Sequence, residues 1–284
     1  MINFMKRNLL VFFKDKSSVF FSLLSVFIII GLYALFLGDV WTSSFSDLTG
    51  VRYLMDSWIV AGLLAVTSVT TTMGAFGIMV EDKSNKIIKD IRSSPIPRAS
   101  IAGGYVLGAF VIGMIMCLVT LVLAEVYILS NGGALLGWAA LLKVFGLLLL
   151  STFSNTAMVL FVVSFFRSNN AFATASTIIG TIIGFLTGIY LPIGELPDAV
   201  QWVIRVFPPS HSAVLLRQVM MADPLAATFA GIPAEYLEGF KETMGVVFKF
   251  GDTTVTPLMS MGILALSGLL FLGLSILNLS RKKK

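Results

Sequence analysis

The fold is decided by residues 58–98, WIVAGLLAVTSVTTTMGAFGIMVEDKSNKIIKDIRSSPIPR, in which a long apolar run gives way to a charged loop. The apolar part, 58–80, contains no Lys, Arg, Asp or Glu. It is long enough to cross a bilayer core, which takes about 20 residues of helix. The charged part, 81–98, holds five of the chain's twenty Lys and Arg residues, and a second apolar run follows it. This stretch therefore predicts two transmembrane helices joined by a short polar connection.

Further apolar runs extend this prediction to the whole chain. Hydrophobic residues make up 57% of the 284 positions and charged residues only 12%, which is unlike a soluble domain of this size. The runs lie at 19–37, 58–80, 101–129, 135–166, 171–191 and 258–279. The sequence lacks the short alternating segments that mark a membrane β-barrel. We therefore predict an all-α polytopic membrane protein with six transmembrane helices, forming a single domain over residues 1–284.

The positions of the basic residues predict the orientation of these helices. With both termini in the cytoplasm, fourteen of the twenty Lys and Arg residues lie in inner segments, and five lie outside, with Lys143 near an outer helix end. Cytoplasmic segments of membrane proteins carry such an excess of positive charge. The sequence therefore favours cytoplasmic N and C termini, and its basic residues do not require nucleic acid as a partner.

Residues 1–17 precede the first apolar run and have an amphipathic pattern of their own. Ile2, Leu9 and Phe12 recur at helical spacing, while Lys6 and Lys14 occupy other positions around the helix. This pattern predicts a helix that lies in the cytoplasmic interface, with its basic residues near anionic membrane lipid. A cytoplasmic extension of the first transmembrane helix is the alternative.

Small and hydroxyl-bearing residues distinguish the second and fifth apolar runs. In the fifth run, Gly180, Gly184 and Gly188 fall four residues apart. Such spacing allows helix backbones to approach closely in a membrane, where lipid supplies no hydrophobic drive for association. We expect packing against another helix or another subunit here. The candidate residues for a packing face or a pathway are Thr67, Thr71, Gly74, Phe76, Thr177, Gly180, Thr181, Gly184, Phe185 and Gly188.

The longest connection, 192–257, is too apolar in its first half for a solvated loop. Pro208 and Pro209 interrupt it, which predicts two short helices forming a re-entrant hairpin at the outer mouth. His211 is expected near a helix start, with Ser210 or Ser212 as the cap. The remainder is too short for a core of its own, so an ordered outer cap is expected, with a helix at 234–244 and a turn at 251–252.

Two ionisable residues lie near the outer ends of neighbouring runs. Glu125 and Lys143 are expected at similar depth, and isolated charges at such positions are costly. They either form an ion pair or extend independently to the outer interface. Glu125 is also the only acidic residue within the six runs, which disfavours an ion-coupled transporter.

Motifs for catalysis and metal binding are missing from the sequence. It contains no Gly-x-x-x-x-Gly-Lys-Ser/Thr loop and no His-Glu-x-x-His, and it has one histidine and one cysteine, Cys117. The chain is therefore not expected to be an enzyme, to hold a metal ion or to hydrolyse ATP by itself.

The order of these features resembles the permease subunits of type-2 ABC exporters, such as those for drug or antimicrobial-peptide efflux. The resemblance covers nearly the whole chain. It is carried by the amphipathic N-terminal segment, the six apolar runs, the loop 81–98, the segment LPIGELP at 191–197 and the segment FPPSH at 207–211.

The resemblance implies a half-transporter in the plasma membrane of a prokaryote. Its loop 81–98 would be a coupling helix seated in a separate cytoplasmic ATPase, present in two copies, which would bind ATP and Mg²⁺. A second permease, identical or homologous, would pack against it mainly through the second and fifth transmembrane helices. The implied coupling residues are Glu81, Asp82, Lys86, Ile87, Ile88, Ile91, Arg92 and Pro95. The implied outer gate comprises Pro192, Pro197, Pro208, Pro209 and His211.

The nature of the cargo is inferred from the candidate pathway. That pathway is apolar and hydroxyl-lined and lacks a ring of charges, which favours a hydrophobic or amphipathic compound such as a drug, a lipid or an antimicrobial peptide. Export of a polysaccharide, and a sensor or immunity scaffold that does not transport, are the alternatives.

Overall fold

Helices form nearly all of the regular structure in the computed structural model, which describes residues 1–37, 40, 43, 48–166, 168–251 and 253–281. The side chains of Arg92 and of residues 279–281 lie outside this description, as does the predicted turn residue 252. The helices are α1 (Ile2–Lys14), α2 (Lys16–Leu32, continued by a π-helical turn Tyr33–Leu37), α3 (Val51–Ser84), α4 (Ile87–Ser93), α5 (Arg98–Ser130), α6 (Trp138–Val163), α7 (Asn169–Leu186), α8 (Asp198–Val206), α9 (Pro208–Met220), α10 (Ala222–Thr228), α11 (Ala234–Thr243) and α12 (Pro257–Arg281). A 3₁₀ turn, Ile193–Glu195, precedes α8, and a short hairpin of β1 (Lys249–Phe250) and β2 (Thr253–Thr254) precedes α12.

Six of these helices are long and apolar enough to cross a membrane: α2 with its π-helical turn, α3, α5, α6, α7 and α12. The prediction of an all-α polytopic membrane protein is confirmed. One predicted boundary is wrong by two turns, because α3 begins at Val51 and not near position 58. The charged residues Arg52 and Asp56 therefore lie within a spanning helix, so Glu125 is not the only acidic residue in a span.

Helix α3 forms the centre of the bundle. Its most apolar window is 83% buried, and it packs against α2, α5, α6, α7 and α9. The corresponding windows of α2, α7 and α12 are only 17%, 11% and 22% buried, so these three helices lie at the periphery. The second transmembrane helix is therefore an internal element of the chain, whereas the fifth offers an outer face.

The N-terminal helix α1 is separate from α2. Asp15 has an extended backbone between them, and its carboxylate caps α2 by accepting a hydrogen bond from the Ser17 amide at 3.0 Å. The buried residues of α1 are Phe4, Asn8 and Phe12, which share one face and pack against α5. The structure thus has a distinct helix in place of an extension of the first span, and its location in the membrane interface stays a prediction.

The end of the bundle opposite α4 is closed by helices α8 to α11. The extended backbone of Phe207 separates α8 from α9, as the two prolines predict. Helix α9 lies between α3, α6 and α12, and most of its residues are buried. The surrounding spans thus shield the α9 backbone, and the re-entrant position of this segment in the membrane stays a prediction. The predicted helix at 234–244 is present as α11.

Candidate functional site: the α4 surface and the outer clamp

The short helix α4 connects α3 to α5 at one end of the bundle. It begins directly after Lys86, which has a positive φ of 63°, a conformation that non-glycine residues rarely adopt. This turn redirects the chain away from α3, and the Ser94 hydroxyl ends α4 by donating to the Ile91 carbonyl oxygen at 2.6 Å. The local sequence therefore builds a short helix of seven residues, about two turns, between the spanning helices α3 and α5.

The three isoleucines of α4 have different surroundings. Ile88 and Ile91 are partly buried and pack against the main core, whereas Ile87 is 38% exposed. Two of the residues predicted to contact a partner thus hold α4 against its own chain. Ile87 is the apolar side chain that α4 presents outward. Other predicted coupling residues, Glu81, Lys86 and Pro95, are exposed nearby.

Asp82 links three helices just before α4. It is only 3% exposed, and its carboxylate accepts hydrogen bonds from Arg7 Nη1 and Nη2 at 2.5 and 2.9 Å and from the Tyr105 hydroxyl at 2.5 Å. These bonds to Asp82 raise the pKa of the Arg7 guanidinium above its usual value. Asp82 therefore faces the interior, tying α3 to α1 and α5, and it does not lie on the exposed α4 surface.

Helix α1 packs closely against glycines of α5. A Cβ at Gly104 would lie 2.7 Å from a ring carbon of Phe4, so a larger residue there would displace α1. The Asn8 side-chain amide donates to the Gly104 carbonyl oxygen at 3.2 Å, and the Phe4 and Tyr105 rings meet edge to face at 4.9 Å. Close packing against α5 and the ion pair between Arg7 and Asp82 together hold α1 next to the start of α4.

At the opposite end, Arg217 of α9 forms a second junction, which we call the outer clamp. Arg217 is fully buried, and its Nη2 donates to the Gly188 carbonyl oxygen at 3.0 Å at the end of α7. Its guanidinium lies 4.7 Å from the ring centre of Trp58 in α3, a cation–π arrangement. The Trp58 indole N–H donates to the Met244 carbonyl oxygen at 2.7 Å. No carboxylate among the described residues contacts Arg217, so this charge is held by carbonyl oxygens and an aromatic face.

Arg217 and Trp58 are not among the residues predicted for a functional site. The signal was present, because Arg217 is a lone charge in the apolar segment AVLLRQVMM at 213–221. A charge in such a segment is expected to be held inside the protein. The hydrogen-bond partners of Arg217 are backbone carbonyl oxygens, and no pattern of residue types in a sequence identifies such partners.

The predicted pathway residues are divided by the structure into an internal and an external group. Thr67, Thr71 and Phe76 are fully buried inside α3, and both hydroxyls bond to carbonyls of their own helix. By contrast, Thr177, Thr181 and Phe185 are exposed along one face of α7, and Gly74 is exposed on α3. Within one chain, therefore, the two groups do not line one surface.

The three glycines of α7 have three different environments. A Cβ at Gly180 would meet nothing within 4 Å, so this position is open. At Gly184 a Cβ would lie 2.1 Å from the Tyr190 ring, because that ring packs directly on the helix backbone. Gly188 ends α7 with a φ of +67°, which a glycine adopts without strain. Gly184 and Gly188 therefore serve packing within the chain, and Gly180 is the one of the three left for a contact with another molecule.

His211 packs inside the end of the bundle that lies opposite α4. It is fully buried, with Nε2 at 2.9 Å from the Arg205 carbonyl oxygen and Nδ1 at 3.1 Å from the Ser260 hydroxyl. The prediction of a serine cap is wrong, because Phe207 occupies the capping position and the Ser210 hydroxyl donates to the Leu186 carbonyl oxygen at 2.6 Å. Pro208 and Pro209 occupy the first turn of α9, where proline is tolerated, Pro197 precedes α8, and Pro192 is buried before the 3₁₀ turn.

Glu125 and Lys143 do not meet. The Glu125 carboxylate accepts a hydrogen bond from the Leu136 amide at 3.0 Å, and Lys143 is exposed. The predicted ion pair is thus not formed, and of the two side chains only Lys143 is exposed as the alternative expects, because Glu125 is buried. The ion pair in this region joins Arg52 and Asp56 at 3.3 Å, with the Tyr127 hydroxyl donating to Asp56 at 3.1 Å.

These features define a polytopic helical membrane protein with a small helix exposed between its second and third spanning helices. The sequence matches the family described as ABC-2 family transporter protein over residues 41–277, which is most of the chain. The chain therefore belongs to this family of transporter proteins. It is also 30% identical over 88 residues to Nodulation protein J from Rhizobium meliloti (strain 1021), a match that spans 31% of this chain and 34% of that protein. The likeness thus covers about a third of that relative's length.

Proposed function

We propose that this chain is the permease of an ATP-driven exporter in a prokaryotic plasma membrane, and that it moves a hydrophobic or amphipathic compound out of the cell. A separate cytoplasmic ATPase, in two copies, binds ATP and Mg²⁺ and supplies the energy. A second permease completes the pathway. In this arrangement α4 and both termini lie in the cytoplasm, and α8 to α11 face outward.

The observation that carries this proposal is the exposed side chain of Ile87 on α4. Just before α4, at Asp82, α3 is bonded to α1 and α5. A force applied to α4 reaches α3 through Ile88 and Ile91, and it reaches α1 and α5 through Asp82. A helix attached in this way moves with the spans and does not bend independently. An amphipathic helix that presents one apolar side chain suits a groove on a soluble partner.

The cargo class is supported by the outer face of α7. Within Asn169–Leu186 there is no Lys, Arg, Asp or Glu, and the exposed Thr177 and Thr181 hydroxyls bond to carbonyls of their own helix at 3.1 and 2.9 Å. A face whose exposed threonine hydroxyls are bonded within their own helix is compatible with an apolar cargo. At its cytoplasmic end lies a cavity of about 330 Å³ between α1, α2, α3 and α7, lined in part by Phe12, Gly77 and Phe172.

The coupling proposal is tested with Ile87→Asp. The tagged chain is purified from its native membranes with its ATPase, and ATP hydrolysis by the reconstituted complex is measured. We expect Ile87→Asp to reduce both ATPase recovery and hydrolysis to background, because a charge replaces the apolar contact. Phe250→Asp is the matched control, since Phe250 is 40% exposed at the opposite end of the molecule and Ile87 is 38% exposed. Unchanged recovery and hydrolysis with Ile87→Asp would contradict coupling through α4.

Transport itself is tested with the same complex in inverted vesicles. ATP-dependent accumulation of a fluorescent amphiphile, without accumulation of a labelled hydrophilic glycan, is the expected result. Accumulation of the glycan alone would overturn the proposed cargo class. Hydrolysis without accumulation of either compound would favour a sensor or immunity scaffold.

A further inference from the structure

The outer end of the molecule contains a cavity of about 720 Å³ between the 3₁₀ turn Ile193–Glu195 and helices α10 and α11. Its volume lies within the range of about 300–1,000 Å³ that is usual for small-molecule sites. The turn is held firmly against α11, because a Cβ at Gly194 would lie 2.7 Å from Thr243 Cα. The two walls of the cavity therefore have a fixed separation.

Two carboxylates line this cavity without a cationic partner. Glu195 lies on the 3₁₀ turn and Glu235 in the first turn of α11, and neither forms an ion pair with a described residue. The neighbouring acids of α11 differ from them, because Glu238 pairs with Lys241 at 2.9 Å and Glu242 with Lys249 at 2.6 Å. The cavity thus carries two carboxylates that no described cation neutralises.

Aromatic side chains make up much of the remaining wall. Phe229 and Phe240 have ring centres 5.1 Å apart at an angle of 51°, and Tyr236 is 70% exposed beside them. Aromatic faces set beside carboxylates attract organic cations, through the ring quadrupole and through charge. An anion of the same shape would be repelled by the two carboxylates.

The floor of the cavity is connected to the spanning helices. Met244 lines the cavity, and its carbonyl oxygen accepts the hydrogen bond from the Trp58 indole of α3. The next residue, Gly245, offers its carbonyl oxygen to Arg217 Nη1 at 3.4 Å. The cavity is therefore built directly on the outer clamp.

From this chemistry we propose that the cavity binds a small organic cation with an apolar body, such as a quaternary ammonium or phosphonium ion. Glu195 and Glu235 neutralise the charge, and Phe229, Tyr236 and Phe240 enclose the body. Binding requires no ATPase and is measured on this chain alone, so its failure would leave the proposed transport function intact.

The test compares two ions of the same size and opposite charge. Calorimetric titration of the full chain in detergent, with blank micelles subtracted, uses tetraphenylphosphonium and tetraphenylborate as probes. We expect tetraphenylphosphonium to bind at one site per chain, and tetraphenylborate to bind about tenfold more weakly or not at all. Equal binding of the two ions would overturn the proposal.

Two variants place the site in this cavity. The double change Glu195→Gln with Glu235→Gln should weaken tetraphenylphosphonium binding by about tenfold. Glu238→Gln removes one charge from the same helix outside the cavity, and it should leave binding unchanged. Gly239→Leu fills the cavity without a steric clash, because a Cβ there meets nothing within 4 Å, and it should abolish binding while the thermal unfolding midpoint is retained. If Gly239→Leu or the double variant bound tetraphenylphosphonium as tightly as the unchanged chain, the ion would not bind in this cavity.

Discussion

Asp82 is the residue through which α4 is tied to the N-terminal helix, and its replacement tests that connection. We expect Asp82→Asn to lower the free energy of unfolding by about 1–3 kcal/mol, because Arg7 loses its carboxylate while about one third of its side chain still reaches solvent. The measurement is the thermal unfolding midpoint in detergent. Glu81→Gln is the control, since it removes the same charge at an exposed neighbouring position. Equal midpoints for the two variants would show that the Arg7 contact contributes nothing.

Arg217 offers a second test at the scale of one residue. Lysine keeps the positive charge but cannot contact two carbonyl oxygens with a planar group. Arg217→Lys should therefore destabilise the chain by about 2 kcal/mol or more, with a change in Trp58 fluorescence as the cation leaves the ring. Arg205→Lys is the control, because Arg205 lies on α8 and bonds to the Gln201 side chain at 2.7 Å. A stable Arg217→Lys variant with unchanged fluorescence would contradict the outer clamp.

The sequence predicts the role of a residue when that role depends on its charge or its exposure. It does not predict a role that depends on a contact inside the folded chain. The charged loop identified Asp82 as part of the α4 region. Its partners Arg7 and Tyr105 lie 75 and 23 positions away in the sequence, and only the folded chain brings them together. The glycine spacing of α7 predicted a packing face for another helix or subunit, whereas within the chain Gly184 and Gly188 pack against Tyr190 and Ile193 of the following segment and Gly180 is open. That spacing did not indicate that Tyr190 would occupy the position next to Gly184.

At the scale of elements, the contact between α1 and α5 determines whether the N-terminal helix moves with the bundle. Gly104→Val places side-chain atoms where Phe4 lies, so α1 should separate from α5. We expect amide hydrogen exchange across residues 2–14 to become about tenfold faster or more. Gly146→Val is the control, because a Cβ at Gly146 meets nothing within 4 Å. Unchanged exchange in Gly104→Val would show that α1 is held elsewhere.

The elements themselves were largely predictable because bilayer thickness sets the length of a spanning helix. The start of α3 was missed because Arg52 and Asp56 looked like loop residues. They lie within a helix because each neutralises the other and Tyr127 adds a hydrogen bond. The break between α8 and α9 was predictable from two prolines, whereas the burial of α9 among three spans depends on tertiary packing.

At the scale of the whole molecule, the peripheral helices differ in the surface that they offer. Exposed residues on α2 and α12 are large and apolar, such as Phe21 at 65% and Leu269 at 59% exposure, which suits contact with lipid. Helix α7 also exposes Ile178, Ile182 and Phe185, but small and hydroxyl-bearing residues lie between them, around the open position Gly180. Small residues favour close contact between helices in a membrane. We therefore propose that a contact between two permeases would lie on α7, without the contribution from the second transmembrane helix that the resemblance implies.

This placement predicts the outcome of disulfide crosslinking in native membranes. The single native cysteine, Cys117, is fully buried, so an introduced cysteine is the one available for reaction. If the partner is a second copy of this chain, Thr181→Cys should form a covalent dimer on mild oxidation, because α7 helices packed through Gly180 bring these positions within disulfide distance. Leu269→Cys on the lipid-facing side of α12 should stay monomeric under the same oxidation. If the partner is a homologous permease, Thr181→Cys crosslinks only to a cysteine at the equivalent position of that chain. A dimer formed by Leu269→Cys and not by Thr181→Cys would move the contact to α12 and remove α7 from the pathway.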